Sequence, residues 1–284
     1  MRRRVALLLL LLGWPAVASA EEAEAAAGWF RTERLNVFVA LVLICGVILI
    51  FLRRARRDPH LKIRRIAGLT ALDEAIGRAT EMGRPVLFVP GVMDVDRVET
   101  IAGMAILGEV ARKTAAYAIP LEVPVRYPLA MTTAQEVVRS SYAAAGRPDL
   151  FDPNRVRFVT DNQFAYAAAV SGIMLRDRPA ANFFLGEFYA ESLVMAETGN
   201  TTGAIQIAGT AQAAQLPFFI TACDYTLLGE ELFAAGAYLT RAPVLLGSVK
   251  GQDYAKVIIA AAIAAGVVLE IFGVTGFKEL LTVR

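Results

Sequence analysis

Residues 35–52 read LNVFVALVLICGVILIFL, and residues 53–57, RRARR, follow at once. The run is apolar except for Asn36. At ~1.5 Å per residue it makes a helix of roughly 27 Å, against a hydrocarbon core of about 30 Å. Lys and Arg beside a span stay on the cytoplasmic side. Arg53, Arg54, Arg56 and Arg57 are therefore expected at the inner membrane surface, and the chain from residue 60 onward in the cytoplasm. Residues 53–65 continue this as a basic juxtamembrane linker.

Upstream, residues 1–20 have the three parts of a secretory signal: Arg2 to Arg4, an apolar run over 5–12, and Ala18-Ser19-Ala20. Cleavage after Ala20 is expected; an uncleaved short anchor is the alternative. Both leave residues 21–34 as a short Ala/Glu-rich external tail. Net charge is segregated in the same way. The chain totals +2, with +3 at residues 2–4, −2 over 21–34 and +6 over 53–65, which leaves −5 on residues 66–284. An acidic body does not bind phosphate backbones, so nucleic acid is not an expected partner. The bilayer is, because basic residues near an anionic leaflet contribute about 1 kcal/mol each.

The chain has two cysteines and one histidine. Cys45 lies in the span and Cys223 in an apolar run, and neither belongs to a metal or disulfide pattern. His60 sits among the juxtamembrane arginines, which leaves a Ser-His-Asp triad or a histidine metal site little to work with.

Over residues 66–253, short apolar runs alternate with helical ones. Strands are expected at 86–89, 119–125, 155–160, 182–189, 217–222 and 244–246. Pro120 and Pro124 push the second toward a sheet edge or shorten it. Helices are expected from Thr70 as N-cap, over 97–117, from a Thr133/Glu136 capping box, over 164–175, from near Ile205, and over 226–239. Continuous rather than alternating apolar strands argue for a parallel sheet covered on both faces. The expected fold class is α/β: a cytoplasmic Rossmann-like, mostly parallel sheet of about six strands with one or two transmembrane helices. A faint echo between 158–163 and 246–252 suggests two duplicated halves. Residues 257–277 are apolar except for Glu270 and Thr275, so a second span is expected over 254–277, with 278–284 as a tail; the alternative is a core helix. Glu270 deep in lipid would cost ~2.5–3.5 kcal/mol, so it is expected to face another helix or subunit.

In open parallel sheets, ligands bind beyond the carboxyl ends of the strands. On the strands above, Gly91, Asp161, Asn162, Glu187 and Asp224 fall there, with Gly247 and Ser248. Glu187 and Asp224 would form a carboxylate pair for acid–base work or a divalent ion. Polar residues also begin wherever buried strands end, which is the plainer reading. Asn200, Thr201 and Thr202, in a stretch rich in glycine and hydroxyl groups, would offer an anion site at the start of the helix near Ile205. The stretch is neither a P-loop nor a G-x-G-x-x-G fingerprint. No catalytic residue, metal set or cofactor is indicated, so the cofactor is unknown.

The segments RPVLFVPG from Arg84 and AETGNTTGAIQIAGTAQAAQLPFFITACDYTLLGEELFAAGAYL from Ala196 resemble an uncharacterised family of bacterial membrane proteins, described as a domain of unknown function. The resemblance covers residues 66–273. It implies a cytoplasmic α/β domain with membrane anchoring and carries over no activity. The expected function is that of a membrane-anchored scaffold or assembly component of a bacterial inner-membrane complex. It would self-associate as a homo-oligomer through small-residue faces such as Gly103 to Gly108 and Ala260 to Gly266. A tethered small-molecule sensor, for a nucleotide or other anion, is the alternative, and an enzyme comes third.

Overall fold

A computed structural model describes residues 35–57, 67–240 and 242–273. The expected signal peptide and external tail, and His60, lie outside the described residues, as do most of the expected juxtamembrane linker and the chain beyond residue 273. The chain divides into two compact units, Phe51–Lys250 and the residues flanking it on both sides.

The larger unit is an α/β body. Its strands are β1 (Val86–Val89), β2 (Leu121–Val125), β3 (Val156–Phe158), β4 (Ala181–Leu185), β5 (Ile205–Thr210) and β6 (Tyr225–Leu228). All pair in parallel, in the order β3-β2-β1-β4-β5-β6. That is the doubly wound order, with its reversal between β1 and β4. The helices, in chain order, are α1 (Leu35–Arg57), α2 (Ala67–Met82), α3 (Val98–Ala116), α4 (Pro128–Ala144), α5 (Gln163–Asp177), α6 (Glu191–Thr201), α7 (Leu216–Ala222), α8 (Glu230–Thr240) and α9 (Pro243–Ile271).

Burial follows from the double covering. Every residue of β1, β4 and β5 is buried. Alternate side chains enter different cores, since successive residues of a strand point to opposite faces. Val86, Phe88 and Phe183 join the core under α2, α3, α4 and α8, whereas Leu87, Val89 and Phe184 join the one under α5, α6 and α7. In the second core Phe219 stacks on Phe184 at 6.1 Å and meets Phe188 edge-on at 5.2 Å. Each such ring contributes about 1.5–3 kcal/mol on burial. Tyr166, fully buried beside them, donates its hydroxyl to the Pro124 carbonyl at 2.8 Å.

Several expected elements are replaced. Residues 217–222 form helix α7, started by Pro217 in its first turn, because only one side of this aromatic segment meets the core. Residues 244–246 belong to α9. The strands they were expected to supply are β5, where a helix was expected, and β6, which takes the beginning of the helix expected over 226–239. β5 reads weakly as a strand because of Gln206 and Gly209. Its glycine is needed, since a Cβ there would lie 2.9 Å from Leu185 Cδ2 and 3.0 Å from Leu227 Cβ. β2 is not an edge strand but is shorter than expected, running Leu121–Val125 with Pro120 outside it. Its ladder with β1 stops at Glu122, before Pro124, so the missing N–H breaks no bond to β1. Helix α4 begins at Pro128, and Thr133 sits inside it, donating to the Leu129 carbonyl. Thr70 likewise lies within α2 rather than capping it. The echo between 158–163 and 246–252 pairs the β3–α5 connection with the interior of α9, so it does not align two halves.

α1 and α9 are each long and apolar enough to cross a membrane, and almost no residue of either hydrophobic window is buried. Two helices of α3 and α9 use glycine differently. Gly103 of α3 lies against the body, where a Cβ would meet the Leu185 carbonyl oxygen at 2.2 Å. Gly247 and Gly251 of α9 lie against α1, where a Cβ would stand 2.7 Å from Leu52 Cα and 2.8 Å from Ile48 Cα, respectively. Gly103 is thus an internal packing residue rather than part of a self-association face.

Gly103→Ala is expected to destabilise the body by about 1–3 kcal/mol, because the atom it meets is backbone. Gly77→Ala, mid-helix with nothing within 4 Å of the new methyl, is expected to stabilise by about 0.5–1 kcal/mol. Urea unfolding of both full-length variants in detergent checks the opposite signs.

Candidate functional site

Strand direction decides where chemistry can gather. The carboxyl ends of β1 and β4 adjoin at the reversal of strand order, where an open crevice is the usual ligand site. Here the crevice is shut by backbone. A Cβ on Gly91 would lie 2.8 Å from both the amide nitrogen and the carbonyl oxygen of Glu187, and one on Gly186 would lie 2.5 Å from the Pro90 carbonyl oxygen. Gly91 also holds φ at +90°, a region other residues avoid. Across this contact Val92 N–H donates to the Glu187 carbonyl at 2.9 Å. Gly91 is therefore a closing residue.

Beside the closure lies a polar cluster built on Glu187, whose side chain is 3% exposed. Its carboxylate accepts hydrogen bonds from the Tyr189 hydroxyl and, at 3.2 Å, from Gln212 Nε2. Arg97 Nε is 3.8 Å away and half-exposed. The bond to Glu187 raises the Tyr189 phenol above its usual range, with burial adding to the effect, so Tyr189 acts as a donor and not as a base. Glu191, fully buried in the first turn of α6, accepts from Tyr189 N–H at 2.7 Å and from Gln163. Burial likewise raises the Tyr166 phenol. Arg126 ties two neighbouring loops together, donating to the Val92 carbonyl at 2.9 Å and the Asp161 carbonyl at 2.8 Å, with Tyr127 stacked at 5.1 Å. Both buried carboxylates of the cluster are met by donors, an arrangement that fixes the loops around them.

The expected site residues do not converge. Gly91, Asp161, Asn162 and Glu187 lie at the carboxyl edge. Asn162 caps α5 by accepting from Ala165 N–H, and Asp161 takes part through its main-chain oxygen. Asn200, Thr201 and Thr202 lie before β5, at the amino edge. Thr201 and Thr202 donate back to the Thr198 and Gly199 carbonyls of their own helix, and Asn200 gives its carbonyl to Gly203 N–H. No helix starts at Ile205 to hold an anion, since that residue opens β5. Asp224 precedes β6 and accepts from Gln206 N–H at 2.8 Å. Glu187 and Asp224 thus stand at opposite ends of β5 and form no carboxylate pair, because 217–222 is a helix and Asp224 leads into β6 at the amino edge. Gly247 and Ser248 lie in α9, beyond any strand end.

Arg97, Arg126, Gln163, Tyr189, Glu191 and Gln212 were not legible as a group, because they come from five loops brought together only by strand order. The signal available was position alone, each lying within a few residues of a strand's end or of the helix after it. At the far end of α3, Asp73, Arg112, Lys113 and Tyr117 line a cleft of about 390 Å³. Its cations are already paired, Lys113 with Asp73 and Arg112 with Glu109 at 2.6 Å. No cluster of three or more His, Cys, Asp or Glu side chains suited to a metal occurs among the described residues.

These features define a doubly wound parallel α/β protein with two long exposed apolar helices and a self-closed switch point. The chain belongs to the family described as Domain of unknown function (DUF6754), whose model matches residues 25–281. No curated protein matches the chain, and no solved structure does.

Burial, with Asp224 adding to it, pushes the Cys223 thiol up to about 12. Raising a thiol's pKa removes thiolate at any pH below it, so at pH 8 alkylation is expected to be about a thousandfold slower than for an ordinary thiol. Mass-resolved labelling of a Cys45→Ser variant by iodoacetamide checks this, with the urea-unfolded chain as reference. Glu187→Ala strands Tyr189, Gln212 and Arg97 and is expected to cost about 1–3 kcal/mol, measured as a fall in the urea midpoint.

Proposed function

We propose that this protein is a membrane-anchored scaffold or assembly component of a bacterial inner-membrane complex, self-associating, with its α/β body at the cytoplasmic face. The observation that carries the reading is the contrast between its parts. Two long helices expose apolar residues along their length, whereas the edge of the sheet where a ligand would enter is closed by the chain's own backbone. Exposed apolar surface on that scale has to be covered, and lipid is the covering that two helices of bilayer length fit. Arg53, Arg54, Arg56 and Arg57, all exposed at the end of α1, favour a cytoplasmic body.

The second span is supported by the contacts of α9. Gly247, Gly251 and Ala255 form a buried stripe spaced by four residues. Small residues in that spacing let membrane helices approach backbone to backbone. Gly247 and Gly251, rather than the expected stretch from Ala260 to Gly266, lie against α1. A core helix would bury its apolar side chains; Val257, Ile263, Val267 and Ile271 of α9 are exposed.

Anion or nucleotide sensing is a second reading, favoured by the half-exposed Arg97 beside Glu187 at the carboxyl edge. A thermal melt across inorganic phosphate and nucleotides separates the two: no shift is expected for the scaffold, and a rise reversed by Arg97→Ala would favour the sensor.

The membrane reading is tested in intact membranes. The protein is expected to stay in the pellet after an alkaline carbonate wash. Green fluorescent protein fused after Asp253 is expected to fluoresce, and alkaline phosphatase fused after Arg284 to be active. Phosphatase activity from a fusion after Asp253 would overturn the orientation.

A further inference from the structure

The loops after β1 and β3 meet at Arg126, which donates to the Val92 and Asp161 carbonyls. The first turns of α3, α4 and α5 stand around that tie. A Cβ on Gly108 of α3 would lie 3.5 Å from Val137 Cγ1 of α4, so this side of α3 faces α4. Both helices return from parallel strands and run the same way. Two turns back toward their starts, Ile101 therefore falls at the level of Ala130, beside Leu129. Phe158 N–H lies 3.2 Å from Met131 Sδ, which holds the end of β3 against the same turn of α4. Phe164 follows Asp161 into the first turn of α5.

Apolar side chains stay uncovered on this surface. Val98 and Phe164, at 63% and 62%, are the two most exposed large apolar residues among the described residues of the body. Ile101, Leu129 and Phe158 are exposed with them. Asp94, Asp96, Glu99 and Asp161 lie in the same loops and first turns, against Arg97 and Arg126. Both cations are engaged, Arg126 by the two carbonyls and Arg97 near Asp96 and Glu187 at 3.9 and 3.8 Å. The surface is therefore apolar and net negative. Helix N-termini favour nearby acids, but they give no reason for apolar groups left in water. Contiguous patches of that kind mark contact sites. The sign of the charge selects the contact. An anionic leaflet is repelled, as is a phosphate backbone. Pairing this patch with itself about a two-fold axis would set carboxylates against carboxylates. A polypeptide segment carrying Lys or Arg beside apolar residues satisfies both features.

We propose that the corner of the carboxyl edge formed by Val98, Ile101, Leu129, Phe158 and Phe164 docks a cationic amphipathic segment of a partner protein. The inference rests on the assembly reading above and names the surface that receives the partner. The test uses the full chain in phosphatidylcholine nanodiscs, with the photo-cross-linker p-benzoylphenylalanine placed at Val98. The control places it at Leu175, an exposed apolar position followed by Arg176 and close to Arg178. The probes are two amphipathic helices of about 14 residues, one of Leu and Lys, the other of Leu and Glu. Position 98 is expected to capture the Lys peptide, and position 175 is not. Asp96→Lys combined with Asp161→Lys is expected to lower that yield about tenfold and to admit the Glu peptide. Both carboxylates are exposed, and an unchanged urea midpoint checks that the fold survives the exchange. Equal yields with the two peptides, or a yield that the exchange leaves intact, overturn the proposal. So does an adduct of position 98 with a second copy or with lipid in native membranes. Release of the chain by the carbonate wash, by contrast, overturns the membrane reading alone.

Discussion

Two loops that cross backbone to backbone hold the body together at its topological reversal. Pro90-Gly91-Val92 leaves β1, Gly186-Glu187 leaves β4, and the space between them has no room for a side chain on either glycine. Gly103 extends the same contact into α3, whose early turns rest on the Leu185 carbonyl. Three glycines thus bring a strand end, its neighbour and a helix within van der Waals distance of one another. Interiors pack at crystal-like density, so a methyl group at any of the three forces backbone to move.

Closure changes what the edge of the sheet can do. In a doubly wound sheet the diverging helices at the reversal leave a crevice. Here the crevice is filled, and the polar groups around it turn inward. Glu187 and Glu191 are buried carboxylates, tolerable because each has donors: Tyr189, Gln212 and Arg97 for the first, Tyr189 N–H and Gln163 for the second. A buried charge deprived of its partner is strongly destabilising. These bonds therefore tie the loops after β4 and β5 and the start of α5 to a single point. Arg126 does the same between the β1 and β3 loops.

The apolar helices follow a different physics. Inside the body, apolar side chains are covered by other side chains; along α1 and α9 they are not. What these helices share with the sheet is the use of missing side chains to shorten distance, since Gly247 and Gly251 let α9 lie directly on α1. The same contact sets which residues of the two helices stand level.

Much of this was legible from residue order alone. β1 and β4 are unbroken apolar runs buried on both faces, and their type needs no partner to be recognised. The helices α1 and α3 are equally plain, from length and periodicity. So is the α/β class, because strands and helices alternate. Where neighbours decide, sequence order failed. IQIAGT becomes a strand because β4 and β6 flank it, and PFFITA a helix because only one of its sides meets the core. Moving that one strand carried Asp224 from the carboxyl edge to the amino edge and dissolved its pairing with Glu187. Local patterns determine which segments are apolar and how often they turn. Only tertiary contact determines which strand lies beside which, and hence which loops meet at an edge, because parallel neighbours are joined through space and not along the chain.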